Sequence, residues 1–180
     1  MAHKEQQDFL VSVKNKFPEK FKNCRVLDIG SLDINGNNRY LFQNYSYIGV
    51  DIGPGKNVDV VCRGHQYDSD KQFDVVLSTE CFEHDEFWVD TINNAIRLTK
   101  SNGMFVFTCA TIGRKEHGTR RSSSPQESPF TSQLENDYYK NLTANDVVEK
   151  IDMQKHFLDF GFSNTEGSHH PDLYFWGIKK

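Results

Sequence analysis

Gly30 and Asp51 carry the clearest chemical signal in the sequence. Gly30 ends an apolar run that begins at Val26, and Asp51 ends a second run that begins at Tyr45. Their separation of about twenty residues is typical of a glycine turn and a ribose-binding acid in α/β nucleotide sites. The glycine lets the backbone approach a ligand, and the carboxylate can accept hydrogen bonds from two ribose hydroxyls. The sequence therefore predicts a ligand that contains a nucleoside.

The residues around Gly30 indicate which nucleoside this is. A dinucleotide site needs the pattern G-x-G-x-x-G, so that a diphosphate can lie on a helix N-terminus. Here the second and third glycines are missing, and Asp33 would repel a phosphate. S-adenosylmethionine, with a cationic amino group and a sulfonium, suits Asp28 and Asp33 better. A nicotinamide oxidoreductase is disfavoured for the same reason.

A cluster of titratable residues follows the predicted strand 73–77. Open α/β sheets bind ligands at the carboxyl ends of their strands, and this strand delivers Ser78, Thr79 and Glu80 there. The acids within 83–86 fit the first turn of a helix, where the macrodipole favours negative charge. It also favours a neutral His84, and a neutral imidazole can take a proton from an attacking hydroxyl. His84 is therefore the first candidate for a general base; the alternative is that it only shapes the pocket.

The longest stretch without periodicity is residues 109–141, here called the lid segment. It is dense in Gly, Ser, Thr and Pro, and its length indicates either disorder or a functional loop. Because it follows the fifth predicted strand, we expect a substrate lid whose arginines hold an anionic or polyhydroxyl acceptor. His117 is a second candidate base, and two tyrosines could line the pocket or only anchor the loop. The predicted acceptor-binding residues are Arg114, Arg120, Arg121, Tyr138 and Tyr139. The simpler alternative is an unanchored basic loop.

Apolar periodicity predicts the elements that position these residues. The predicted strands are 26–29, 45–50, 58–62, 73–77, 104–108, 160–165 and 172–179. The predicted helices are an amphipathic one over 3–21, a short one over 37–44, one over 87–99 and one from Thr143 toward Gly161. Pro18 is expected to end the first helix, and Asp146 to form a partial capping box with Thr143.

The motifs VLDIGS, YIGVDI, FDVVLSTECFEH and AIRLTKSNGMFVFT follow one another through roughly the first two thirds of the chain. As a set they resemble the class I S-adenosylmethionine-dependent methyltransferases, of the small bacterial, methyltransferase type 11-like kind. We therefore expect an α/β fold, a three-layer Rossmann-like sandwich. Its seven-stranded, mostly parallel sheet would have an antiparallel last strand. We expect one domain over 1–180, with the N-terminal helix within 1–22.

The resemblance also implies roles for individual residues. Asp51 would bind the ribose, and Asp28 and the Gly30 loop the methionine end. The adenine would lie against Ile52 and the segment that follows the third strand, although a histidine there could equally be a surface residue. The remaining residues predicted to bind the cofactor are Ser31, Asn35, Gly64, His65, Ser78, Thr79 and Glu80.

The composition fits a cytoplasmic enzyme. The chain has 180 residues, of which 37% are hydrophobic, and a formal net charge of −4, which gives no overall attraction to nucleic acid or an anionic membrane. The N-terminus lacks the apolar core of a signal peptide, and no stretch is long enough to span a bilayer. The four cysteines form no C-x-x-C pattern, and the adjacent His169 and His170 lack further ligands, so we expect no metal.

These observations predict transfer of a methyl group to an oxygen or nitrogen of a small molecule or sugar. One alternative is a non-catalytic binding or scaffold protein of the same fold, which the sparse glycine loop favours. A nucleic-acid methyltransferase is less favoured, because the fourth strand ends in STEC rather than in a D-P-P-Y-like tetrad for a flipped base. The basic residues of the lid segment are the argument for it.

Overall fold

Short apolar runs form the strands of a single sheet. The computed structural model describes residues 3–180, so residues 1 and 2 of the predicted N-terminal segment lie outside the described residues. The strands are β1 (Arg25–Ile29), β2 (Ser46–Asp51), β3 (Val60–Val61), β4 (Phe73–Thr79), β5 (Thr99–Ala110), β6 (Phe157–Asn164) and β7 (Asp172–Lys179). β1 and β4 are buried along most of their length, as expected of central parallel strands that are covered on both faces.

The strand order places β1 and β4 at the centre of the sheet. The order is β3-β2-β1-β4-β5-β7-β6. β1 pairs in parallel with β2 and β4, and β4 pairs in parallel with β5. β7 runs antiparallel between β5 and β6. The predicted mostly parallel seven-stranded sheet with an antiparallel last strand is confirmed.

Helices cover both faces of the sheet. They are α1 (Lys4–Lys16), α2 (Trp88–Leu98), α3 (Ala144–Lys150) and α4 (Met153–His156). Because side chains alternate along a strand, Val75 and Leu77 of β4 pack in one core with Leu10 and Val13 of α1. Val76 points to the opposite face and packs in the core of α2, α3 and α4. None of the helices within 3–180 is long and apolar enough to cross a lipid bilayer.

Two predicted helices are shorter in the structure. The segment 37–44 contains only a 3-10 turn, Arg39–Leu41. The Asn37 side chain accepts the Arg39 N–H at 3.1 Å, and such local bonds compete with helical ones. The helix that begins after Thr143 ends at Lys150 rather than near Gly161, and a second short helix, α4, follows it. The predicted capping box is present, because the Thr143 and Asp146 side chains each accept the other's backbone N–H.

Candidate functional site

A cleft of about 1080 Å³, its open mouth included, lies at the carboxyl ends of β1, β2 and β4. This is where a doubly wound sheet is expected to bind its ligand. Ten of the sequence-predicted site residues line the cleft: Asp28, Gly30, Ser31, Asn35, Asp51, Ile52, Gly64, Thr79, Glu80 and His84. The structure therefore brings together residues that are up to 56 positions apart in the chain, from Asp28 to His84.

Position 30 requires a glycine for two reasons, its backbone conformation and the space around it. Its φ is +78°, and a Cβ there would lie 2.6 Å from the Cβ and Sγ of Cys81. The N–H groups of Gly30 and Ser31 both donate to the Val50 carbonyl, at 2.8 and 3.1 Å. These N–H groups are therefore already bonded within the protein, which agrees with the expectation that this loop is not a diphosphate cradle.

Two acids make the floor of the cleft suited to a cation. Asp51 accepts the Leu32 N–H at 3.0 Å, and burial raises the pKa of its carboxyl. Asp28 is buried, and its Oδ2 accepts the Tyr47 hydroxyl at 2.6 Å, while its Oδ1 has no hydrogen-bond partner among the described residues. Burial, with Asp51 nearby, raises the pKa of Asp28 to about 7. A bound cation would offset the cost of keeping these carboxylates ionised.

Two residues predicted to bind the cofactor do not line the cleft. Ser78 is buried and donates its hydroxyl to the Ile29 carbonyl at 2.8 Å, which joins β4 to β1. His65 packs against the Phe87 ring, with the ring centroids 4.6 Å apart. Its neighbour Gly64 does line the cleft, and a Cβ there would lie 2.7 Å from Ile29 and Thr91.

The turn after β4 places a histidine against the cleft. Phe82–His84 is a 3-10 turn, and α2 begins only at Trp88. The acids of this turn are therefore not the first turn of a helix. Asp85 accepts the Phe87 N–H, at 2.9 Å, whereas Glu83 points inward and is fully buried. Burial, with a smaller contribution from His117, holds the pKa of His84 well below its usual value, so its imidazole is neutral.

His117 lies beside His84 rather than on the cleft lining. The two ring centroids are 5.1 Å apart. The Nδ1 of His117 is 3.1 Å from the Lys115 carbonyl and 3.2 Å from the Tyr139 hydroxyl. Its Nε2 is 3.9 Å from Oε1 of Glu83. Tyr139, a predicted acceptor-binding residue, thus belongs to this histidine cluster.

The predicted basic residues are bound to acids of the protein. Arg114, whose side chain is only 9% exposed, pairs with Asp172 at 2.9 Å. Arg120 and Arg121, with side chains 56% exposed, pair with Asp137 at 3.5 and 3.4 Å. These arginines and both tyrosines lie off the cleft lining.

A different part of the lid segment lines the cleft, and its residues were not among those predicted from the sequence. Its lining residues are Glu127, Ser128, Pro129, Phe130, Thr131 and Leu134. The Phe130 ring packs so closely on Gly53 that a Cβ there would lie 2.4 Å from it. The signal available in the sequence was a lone aromatic residue in a polar stretch rich in serine and proline.

Comparison with known proteins agrees with this geometry. Residues 1–164 match the family model described as a methyltransferase domain. No curated protein sequence matches the chain. Among solved structures, phosphoethanolamine N-methyltransferase 2 from Haemonchus contortus has a TM-score of 0.65 at 17% identity. The match covers 96% of this chain and 52% of that one, so the chain spans about half the length of the nematode enzyme.

Two other similar structures are nearer to this chain in length. The N-terminal domain of EvdMO1, crystallised in the presence of S-adenosylhomocysteine and D-fucose, has a TM-score of 0.65 at 14% identity, and the match covers 100% of this chain and 85% of that one. The 1,6-didemethyltoxoflavin-N1-methyltransferase of Burkholderia thailandensis has a TM-score of 0.59 at 13% identity, with 100% and 92% covered. At these identities the likeness shows a shared fold.

Proposed function

Since the chain belongs to the class I S-adenosylmethionine-dependent methyltransferases, we propose that it transfers the methyl group to an oxygen or nitrogen of a small molecule or sugar. The observation that carries the proposal is the cleft at the carboxyl ends of β1, β2 and β4, with Asp28 and Asp51 on its lining. The similar enzymes act, by their names, on phosphoethanolamine and on 1,6-didemethyltoxoflavin, which supports a small acceptor.

We assign the cofactor contacts by position in the cleft. Asp51 accepts hydrogen bonds from the two ribose hydroxyls. Asp28 and the Gly30 loop, with Ser31 and Asn35, bind the methionine end, whose cationic amino group offsets the burial of Asp28. The adenine side is formed by Ile52, Gly64 and Phe130, and the rim by Thr79 and Glu80. When bound, S-adenosylmethionine supplies an activated methyl group on a sulfonium.

The residues of the chain then have to position the acceptor and move a proton. His84 lines the cleft with a neutral imidazole, so it is our first candidate to take a proton from the acceptor as the acceptor attacks. His117, one ring away, is the second candidate. Methyl transfer is an in-line displacement, in which holding the acceptor close and excluding water lowers the barrier most. The lid segment serves this purpose.

The acceptor contacts predicted for the arginines and tyrosines stay a prediction. The side chains of Arg120 and Arg121 are about half exposed, and both pair with Asp137. An anionic acceptor that took the place of Asp137 as their partner would be held by these arginines. Tyr139 would act beside His117.

Calorimetry with S-adenosylmethionine and, separately, NADH tests the proposal. We expect one S-adenosylmethionine bound per chain and no binding of NADH. Asp51→Ala should weaken binding by about 2–4 kcal/mol, because it removes two hydrogen bonds to a charged acceptor. Asp68→Ala is the control: this exposed carboxylate pairs with Arg97 in a surface contact away from the cleft lining, so affinity should not change. Absence of S-adenosylmethionine binding, or binding that survives Asp51→Ala unchanged, would refute the proposal.

A further inference from the structure

Glu83 is a buried acid whose charge the structure leaves uncompensated. Its side chain is fully buried, and neither carboxylate oxygen has a hydrogen-bond partner among residues 3–180. Burial, with Glu80 nearby, raises the pKa of Glu83. Buried polar groups in proteins are almost always hydrogen-bonded, and a buried charge needs a counter-charge. The carboxyl group of Glu83 must therefore either bind a proton or lie next to a cation.

His117 is oriented as metal-binding histidines are. Its Nδ1 is 3.1 Å from the Lys115 carbonyl, and because a carbonyl can only accept, Nδ1 carries the ring proton. Nε2 then keeps its lone pair and lies 3.9 Å from Oε1 of Glu83. A ring N–H that donates to a backbone carbonyl, with the other nitrogen free, is the usual arrangement of a ligating histidine. The Tyr139 hydroxyl, 3.2 Å from Nδ1, holds the ring further.

His84 completes the cluster. Its Nδ1 is buried and has no hydrogen-bond partner within the described part of the chain. The ring can approach the lid segment because residue 118 is a glycine: a Cβ there would lie 2.7 Å from Cε1 of His84. One ligand atom from each of Glu83, His84 and His117 lies within 4.8 Å of the others. Ligands of a tetrahedral zinc ion are about 3.4 Å apart, so a contraction of at most about 1.4 Å would close the site.

We propose that Glu83, His84 and His117 bind a divalent transition-metal cation beside the cofactor cleft. One carboxylate and two neutral imidazoles are a donor set for zinc and for cobalt or iron in the divalent state, whereas magnesium and calcium prefer oxygen ligands. The cation supplies the counter-charge that Glu83 lacks.

The use of this cation rests on the proposed function. His84 borders the cleft, so an open coordination position would face the acceptor and could orient its hydroxyl or amine and lower its pKa. With His84 as a ligand, the cation would replace its imidazole as the activating group, and the acceptor would lose its proton to water in the open cleft before methyl transfer.

A second cluster, His3, Glu80 and Asp172, does not need a cation. Nε2 of His3 is 2.5 Å from Asp172, and Arg114 also pairs with that carboxylate. The charges of this second cluster are therefore already balanced within the protein, whereas the charge of Glu83 is not.

Cobalt binding tests the proposal without requiring activity. The whole protein is stripped with EDTA and titrated with Co²⁺ by visible spectroscopy and with Zn²⁺ by calorimetry, with Mg²⁺ as the ion expected not to bind. We expect one Co²⁺ per chain, with ligand-field bands of a nitrogen and oxygen site. Glu83→Gln and His117→Gln should weaken binding by more than about 100-fold, and Tyr139→Phe by about 10-fold, as for an outer partner. His156→Gln, which removes a histidine elsewhere, is the matched control.

Thermal melts exclude unfolding as the cause. Glu83→Gln replaces a buried carboxyl group that has no hydrogen-bond partner by a neutral amide of the same shape, so the metal-free variant should fold about as well as the wild type. Zn²⁺ should raise the Tm of the wild type and leave that of Glu83→Gln unchanged.

Different results would refute the metal site and the proposed function. Absence of Co²⁺ and Zn²⁺ binding, or equal binding by the wild type, His117→Gln and His156→Gln, overturns the metal site, and S-adenosylmethionine binding by the same samples would leave the proposed function standing. Metal binding without S-adenosylmethionine binding would uphold the site and overturn its catalytic use.

Discussion

The carboxyl group of Asp28 lies on the cleft lining in a strongly desolvated position. The groups that face it are Tyr47, which donates to it, Asn57, Asp51 and Arg39. Burial outweighs the hydrogen bonds, and the pKa rises from 3.8 to about 7. The folded protein therefore holds a proton here, in the absence of a cation, at pH values where the unfolded chain has lost it.

The stability of the protein should depend on pH through Asp28. Because the pKa is higher in the folded state, the folded protein binds more protons between pH 4 and 7, and stability falls as pH rises through that range. From pH 5 to pH 8, we expect the unfolding free energy of the wild type to fall by about 2.5 kcal/mol relative to Asp28→Asn, which cannot titrate. Urea unfolding at the two pH values measures this. A difference between the two proteins that does not change with pH would contradict the assignment.

At the scale of elements, the lid segment is the part of the chain that turns an open sheet edge into a cleft. Two short turns, Pro125–Glu127 and Thr131–Gln133, lie on either side of residues 128–130. Between them, the ring of Phe130 packs against Gly53. The segment returns to the sheet where the Leu142 N–H donates to the Ala110 carbonyl at 2.9 Å. The wall of the cleft beside Gly53 is therefore partly made of lid residues.

Phe130→Ala should weaken S-adenosylmethionine binding by about 10-fold, chiefly through faster release, because an aromatic wall of the cleft is lost. Gly53→Ala should have a similar effect, since the added methyl group displaces the same ring. The double variant should be no worse than either single one, because both act on one contact. Stopped-flow release kinetics measure these rates.

Ile112→Ala is the matched control for this experiment. Ile112 belongs to the same segment, but it is 59% exposed and lies off the cleft lining. Its substitution should leave the release rate unchanged. Equal effects of Ile112→Ala and Phe130→Ala would mean that general loosening of the segment, rather than the Phe130 contact, controls release.

At the scale of the whole molecule, a buried network of charges joins distant parts of the chain. Arg114 of the lid segment pairs with Asp172 at the start of β7, and its other terminal nitrogen is 3.9 Å from Glu80 at the end of β4. His3, just before α1, contacts the same two acids. The network therefore ties the lid segment and the N-terminal helix to the sheet.

Arg114→Ala should lower the free energy of unfolding by about 3 kcal/mol or more, because it leaves buried carboxylates without their partner. Arg120→Ala should cost less than about 1 kcal/mol, since the Arg120 side chain is 56% exposed and the buried Asp137 keeps its pairing with Arg121. Denaturant unfolding compares the two variants. A stable Arg114→Ala protein that loses only acceptor affinity would instead support the acceptor-binding role predicted from the sequence.

The sequence by itself determined the sheet, the residues after β1 and β2 that line the cleft, and local features such as the Thr143 capping box. These depend on short-range patterns: apolar runs, a glycine turn, an acid at a strand end and a cap three residues from its partner. Gly30 and Asp51 could be paired from sequence because parallel neighbouring strands end at the same edge.

Only the tertiary structure decided which polar side chains are buried and with what partners. Glu83 fits an acidic helix start by sequence, yet it lies inside the protein beside His117, 34 residues later. Arg114 has the sequence context of a free basic loop, yet Asp172, 58 residues away, holds it. Phe130 belongs to no apolar pattern in the sequence, yet it forms part of a wall of the cleft. The physical reason is that charge, burial and ring packing depend on contacts that the chain makes only after the sheet has brought distant segments together.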